Sequence, residues 1–110
     1  MFAEVKDSLP ISGDDYDGQI IREIKAAALD LTTSAEIELP GTIDITRSAQ
    51  GVITDNSTLT DELIITAIAT WCNMRIGNPP NYDKLLAAYN SLKGQLRLSK
   101  SYTTSEVTTE

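Results

Sequence analysis

Histidine is missing from this chain, and cysteine, tryptophan and phenylalanine occur once each. Without histidine the chain lacks the commonest acid–base catalyst and the usual zinc and iron ligand. One cysteine, Cys72, excludes an internal disulfide. It falls on the apolar arc of a helix and has no histidine to activate it, so a buried, inert thiol is expected. No apolar run is long enough to span a membrane. The first ten residues, MFAEVKDSLP, lack the basic start and apolar centre of a signal peptide, so synthesis in a cytoplasm is expected. Basic residues are few as well: 9 Lys and Arg against 16 Asp and Glu leave a net charge of −7. That balance argues against gripping nucleic acid, which requires a basic patch to displace counterions. It fits a channel wall that DNA slides past, or a decoy for a DNA-binding protein. For any single charge the plain reading is solubility. There is no Gly-rich phosphate loop, no nucleophile–histidine pair, no Cys/His cluster and no internal repeat. Neither a cofactor nor a metal is implied.

What is present reads as one domain of 110 residues, a common size for a single core. Phe2, Val5 and Leu9 lie at helical spacing, and Pro10 ends that short helix. The segment ISGDDYDG is a turn whose Asp14, Asp15 and Asp17 are placed to cap the next helix and complement its positive end. A calcium loop is the other reading of these aspartates. Aligned on Gly18, it puts Gly13 and Ile24 at two positions that require carboxylates, so capping is preferred. The second helix is expected from about residue 15 to 32, with Ile20, Ile24, Ala27, Ala28 and Leu31 as its inward stripe and Arg22, Glu23 and Asp30 away from it.

From Glu36 to Thr46 the period changes from helical to alternating. Ile37 and Leu39, then Ile43 and Ile45, flank Pro40-Gly41, which predicts a β-hairpin turning at that dipeptide. Residues 47–57 read as a polar loop. The third helix is expected to start at Thr60 as N-cap, with Leu59 and Ile64 forming a hydrophobic staple. It is apolar around more than half its circumference. Leu63, Ile64, Ala67, Ile68 and Trp71 form one stripe, and Ile65, Ala69, Cys72 and Ile76 a second. One stripe serves the domain's own core. The second is taken either by the same core, with the helix packed on both sides, or by another subunit. Gly77-Asn78-Pro79-Pro80 stops this helix. A fourth follows from Asn81, with Leu85, Ala88, Tyr89, Leu92 and Leu96 as its stripe and Gly94 weakening its end. Residues 99–110 read as a flexible polar tail after a helical domain of residues 1–98. The fold class expected is mainly α, a bundle of about four helices with a short β-hairpin between the second and third.

These features, taken in order, resemble the small head–tail connector, or adaptor, proteins of long-tailed bacteriophages and prophages. The resemblance runs from about Phe2 to Tyr102. It rests on the EVKDSL-like helix with its I-S-G-D-D turn, the helix IIREIKAAALDL, the stretch DELIITAIATWCNMRIGNPP and the closing YNSLKGQLRLSKSY. It implies a virion structural protein without enzymatic activity. Such a protein forms an oligomeric ring of about twelve copies at the head–tail interface, between the portal and a stopper or tail-completion protein. DNA passes through the ring without specific binding. It also implies Ile65, Ala69, Cys72 and Ile76 at the subunit interface, with Trp71 and Arg75 as anchors at its edge. The hairpin residues Glu36, Glu38, Asp44 and Arg47 would face the channel or a neighbour, and Lys100 and Tyr102 in the tail would dock on the portal or tail. The alternative function is a small acidic inhibitor or DNA mimic that covers a basic nucleic-acid-binding partner.

Overall fold

The computed structural model describes residues 1–11, 13–76 and 80–98. The chain starts directly in α1 (Phe2–Asp7), which buries Phe2 and Val5. Its end is closed locally. The Ser8 N–H donates to Val5 O at 3.1 Å, the Ser8 hydroxyl donates to the same carbonyl at 2.6 Å, and Pro10 follows. The second helix, α2 (Asp17–Thr33), turns Ile20, Ile24, Ala27 and Leu31 inward as their spacing requires, and all four are fully buried. The expected capping by aspartates is not what forms. The N-cap is Tyr16 and contributes no side-chain hydrogen bond. Asp17 and Asp14 instead hold Lys6 of α1, at 2.8 and 3.1 Å. Short carboxylates facing an ammonium from the preceding helix gain more there than from the exposed N–H groups of their own first turn.

α2 ends where the β-branched Thr32 and Thr33 turn their hydroxyls back onto Leu29 O, at 3.1 and 2.7 Å. Glu36 then takes a left-handed backbone, φ 57°, which reverses the chain and brings the Ile37 N–H to Leu31 O at 3.3 Å.

The hairpin lies between the second and third helices, but its strands are not those expected. β1 (Ile45–Arg47) pairs antiparallel with β2 (Ile53–Asp55) in the register Ile45 to Asp55, Thr46 to Thr54 and Arg47 to Ile53. The turn is made at Ser48 to Val52. There the Ser48 hydroxyl accepts from the Gln50 and Val52 N–H groups at 3.2 and 3.0 Å, and Gly51 supplies a positive φ of 86°. Pro40-Gly41 has a different task. A Cβ at Gly41 would stand 2.7 Å from Leu59 Cα and 2.8 Å from Leu59 N, so this dipeptide lets two backbones cross closely instead of reversing one. The stretch 47–57, expected as loop, supplies the second strand. Its pairing continues beyond the strands through Asn56 N–H to Asp44 O at 2.8 Å and Thr58 N–H to Thr42 O at 3.0 Å. The Ser57 and Thr58 hydroxyls fill in for missing ladder bonds, accepting from the Asp44 and Thr42 N–H groups at 2.9 and 2.8 Å.

α3 (Glu62–Arg75) is capped by Asp61, not by Thr60: Asp61 Oδ1 accepts the Ile64 N–H at 3.1 Å. A carboxylate at this place also meets the positive end of the helix, which a hydroxyl does not. α3 stops at Ile76, whose backbone is extended. α4 (Tyr82–Leu98) follows and buries Tyr89 and Leu96. Of the sequence that breaks the two helices, Gly77, Asn78 and Pro79 lie outside the described residues. α3 is the central helix and packs against α4, α2 and α1. Around it gathers one apolar core that includes Val5, Ile24, Ile37, Ile45 and Leu96. No helix among the described residues is long and apolar enough to cross a membrane.

Candidate functional site

The second stripe of α3 lies within the chain's own core. Ile65, Cys72 and Ile76 are 6, 0 and 1% exposed. Among the residues expected at a subunit interface, only Ala69, Trp71 and Arg75 keep accessible surface. The reason is topological: α1 packs on α3 beside α2 and α4, so three helices share its apolar arc. Burial, with Glu23 adding to it, pushes the Cys72 thiol up to about 12. It is therefore a small apolar filler, as its place on the arc suggested.

Trp71 and Arg75 are engaged inside the molecule. Trp71 Nε1 donates to Glu23 Oε1 at 2.9 Å, and Arg75 Nε stands 3.6 Å from the same oxygen. The guanidinium lies over the indole, 5.2 Å from its centroid. The indole meets the Tyr89 ring edge-on at 5.3 Å. Tyr89 in turn donates its hydroxyl to Asp30 Oδ2 at 2.6 Å, and Lys93 Nζ reaches the same oxygen and Ser34 Oγ, both at 3.2 Å. Burial, and then the Asp30 carboxylate, push the Tyr89 phenol well above its ordinary value. This polar and aromatic seam ties α2 to α3 and α4. Glu23 and Asp30 were read as solvated positions, and their role was missed. The available signal was their spacing of two helical turns, together with the need of a half-buried Trp and a buried Tyr for a partner at the polar tip.

Glu36, Glu38, Asp44 and Arg47 are all exposed, but Glu36 and Glu38, expected in the hairpin, lie in the connection that leads from α2 to it, because the strands form later in the chain. The Arg47 guanidinium passes near Gly18 at the start of α2. Asp55 pins the hairpin to α1, since Asp55 Oδ2 accepts the Phe2 N–H at 2.7 Å and stands 3.0 Å from the Met1 amino group. Partial desolvation works against this carboxylate. The Phe2 N–H, the Ser57 hydroxyl and the Met1 amino group together outweigh it and hold the carboxyl well below the usual range. Lys100 and Tyr102 lie outside the described residues.

An open groove of about 280 Å³ lies between α1 and α3. Glu4 and Ser8 form one wall, and Glu62, Ile65, Thr66, Ala69, Thr70 and Asn73 form the other wall and the floor. It is shallow and lined by short side chains between two carboxylates. Such a surface can receive a side chain or a helix flank but does not enclose a small molecule. Among the described residues, no group of three or more Cys, Asp or Glu side chains is placed to hold a metal ion. Comparison with protein-family models, with curated proteins and with solved structures finds no match to this chain.

Proposed function

We propose that this chain is a structural subunit of a phage virion: a head–tail connector, or adaptor, that assembles into a ring of about twelve copies. The ring sits between the portal and a stopper or tail-completion protein. The observation that carries the reading is the architecture. Four helices carry a two-stranded hairpin between the second and third, with Asp44 and Arg47 exposed on it, which supports this reading. In the ring, Asp44 and Arg47 of this hairpin, with Glu36 and Glu38 of the connection before it, face the channel or the next subunit. A net negative lining repels phosphate, so DNA passes without binding. The tail residues Lys100 and Tyr102 dock on the portal or on the tail. The subunit carries no catalytic activity of its own.

The acidic-inhibitor reading requires a dense row of free carboxylates. Several are spent internally instead: Asp14 and Asp17 on Lys6, Glu23 on Trp71 and Arg75, and Asp30 on Tyr89 and Lys93. The test is mass spectrometry of density-purified phage particles from the source bacterium, with peptide amounts scaled to the portal protein. Near one copy per portal subunit is expected. Absence from intact tailed particles removes the connector reading.

A further inference from the structure

On the outer side of α2, Arg22, Lys25 and Leu29 follow one another at helical spacing, on one face away from the core stripe. Leu29 is 63% exposed, a large apolar side chain flanked on its own helix by two cations. Among the described residues, no ion pair or side-chain hydrogen bond involves Arg22 or Lys25. The groove between α1 and α3 offers the converse. It has Thr66, Ala69 and Thr70 beside an edge of Ile65 on its α3 side, and carboxylates at Glu4 and Glu62.

The two surfaces stand on opposite sides of α3. Trp71 and Arg75 reach back to Glu23 on α2, whereas Glu62, Thr66 and Asn73 fall about half a turn away round the same helix. One chain therefore cannot bring its own α2 face into its own groove.

We infer that the α2 face of one copy docks into the α1–α3 groove of a second copy, with Leu29 seated over Thr66 and Ala69 and with Arg22 and Lys25 facing Glu4 and Glu62. The contact reads as a helix in a groove, with anchors at i, i+3 and i+7. It is heterologous: each copy uses one surface to give and the other to receive, so the contact propagates and closes into a ring when the rotation per copy allows. Complementary charge sets the pairing and its register. The inference deepens the ring reading above and rests on it for its closure.

The experiment is zero-length carbodiimide coupling of the full chain at high protein concentration, on an equal mixture of ordinary and ¹⁵N-labelled protein. A ladder of dimers, trimers and larger species is expected. Peptides joining Lys25 to Glu4 or Glu62 should carry one label state on each side, which marks them as intermolecular. Leu29→Asn adds neither a carboxylate nor an amine, so it leaves the set of coupling groups unchanged and alters only an exposed side chain. Its circular dichroism should match the wild type while the ladder falls at least tenfold. No ladder in the wild type, cross-links from Lys25 to carboxylates outside the groove, or an undiminished ladder in Leu29→Asn would each overturn the docking. The virion reading fails separately. Cross-links found in a protein absent from particles sink the connector and leave the contact. A protein present in particles without these cross-links sinks the contact alone.

Discussion

Glu23 and Asp30 each hold the polar tip of an aromatic side chain, so the stability of the α2–α3–α4 seam depends on two carboxylates that a hydrophobic pattern does not mark. Tyr89 shows the consequence most directly. Its phenol is buried and donates to Asp30. Its folded pKa therefore lies above the unfolded value of about 10. The folded state keeps a proton that the unfolded chain releases in alkali. The associated stability is complete below about pH 10 and is lost as pH rises beyond it. Tyr89→Phe should cost about 1–2 kcal/mol at neutral pH, the value of one hydrogen bond to a charged acceptor. It should also flatten the alkaline fall. Urea unfolding of both proteins at pH 8 and pH 11 measures this. A stability gap as large at pH 11 as at pH 8 would show that the phenolic proton carries none of it.

At the scale of elements, the hairpin stabilises the fold mainly through its anchor. A two-stranded ribbon is marginal in water by itself. This one is held by buried Ile45 and by the Asp55 carboxylate on the start of α1. The Asp55 carboxyl is held below its unfolded value of about 3.9. Its contribution is thus present at neutral pH and is lost as pH falls from about 4 toward the folded pKa. Asp55→Asn should cost about 1 kcal/mol between pH 5 and 7. The difference from wild type should shrink below pH 4, read from thermal unfolding followed across that range. A constant difference down to pH 2 would remove the charge-based account.

This anchor explains which elements were legible in the sequence and which were not. The helices were, since Ile20, Ile24, Ala27 and Leu31 state their period without help from the rest of the chain. The hairpin's existence was legible, but its strands were misplaced. Pro40-Gly41 is a strong local turn signal that Leu59, eighteen residues further on, converts into a close backbone crossing. Asp61 displaced Thr60 as cap because two good capping residues stand side by side and only their geometry chooses between them. The functional surfaces were least legible. Arg22, Lys25 and Leu29 read as ordinary solvent positions until the groove on the far side of α3 is known.

For the whole molecule, the decisive matter is how the apolar excess of α3 is used. Its two stripes exceed what a surface helix needs, and a neighbouring subunit was one way to cover the second. The fold covers it internally, because α3 is the helix on which α1, α2 and α4 all pack. Ile65 and Ile76 are 6 and 1% exposed, and of the two only an edge of Ile65 reaches the α1–α3 groove. Placing aspartate at either buries a carboxylate with no designed partner, at a cost of several kcal/mol. The total stability of a domain is about 5–15 kcal/mol. The double variant Ile65→Asp with Ile76→Asp should therefore lose its helical circular dichroism and cooperative melt as an isolated chain, before assembly is considered. Leu29→Asn, on the outer face of α2, should melt within about 0.5 kcal/mol of wild type, as surface changes do. Measured side by side, the two variants separate core from contact. A double variant that stays folded and fails only to assemble would return the second stripe of α3 to the subunit interface.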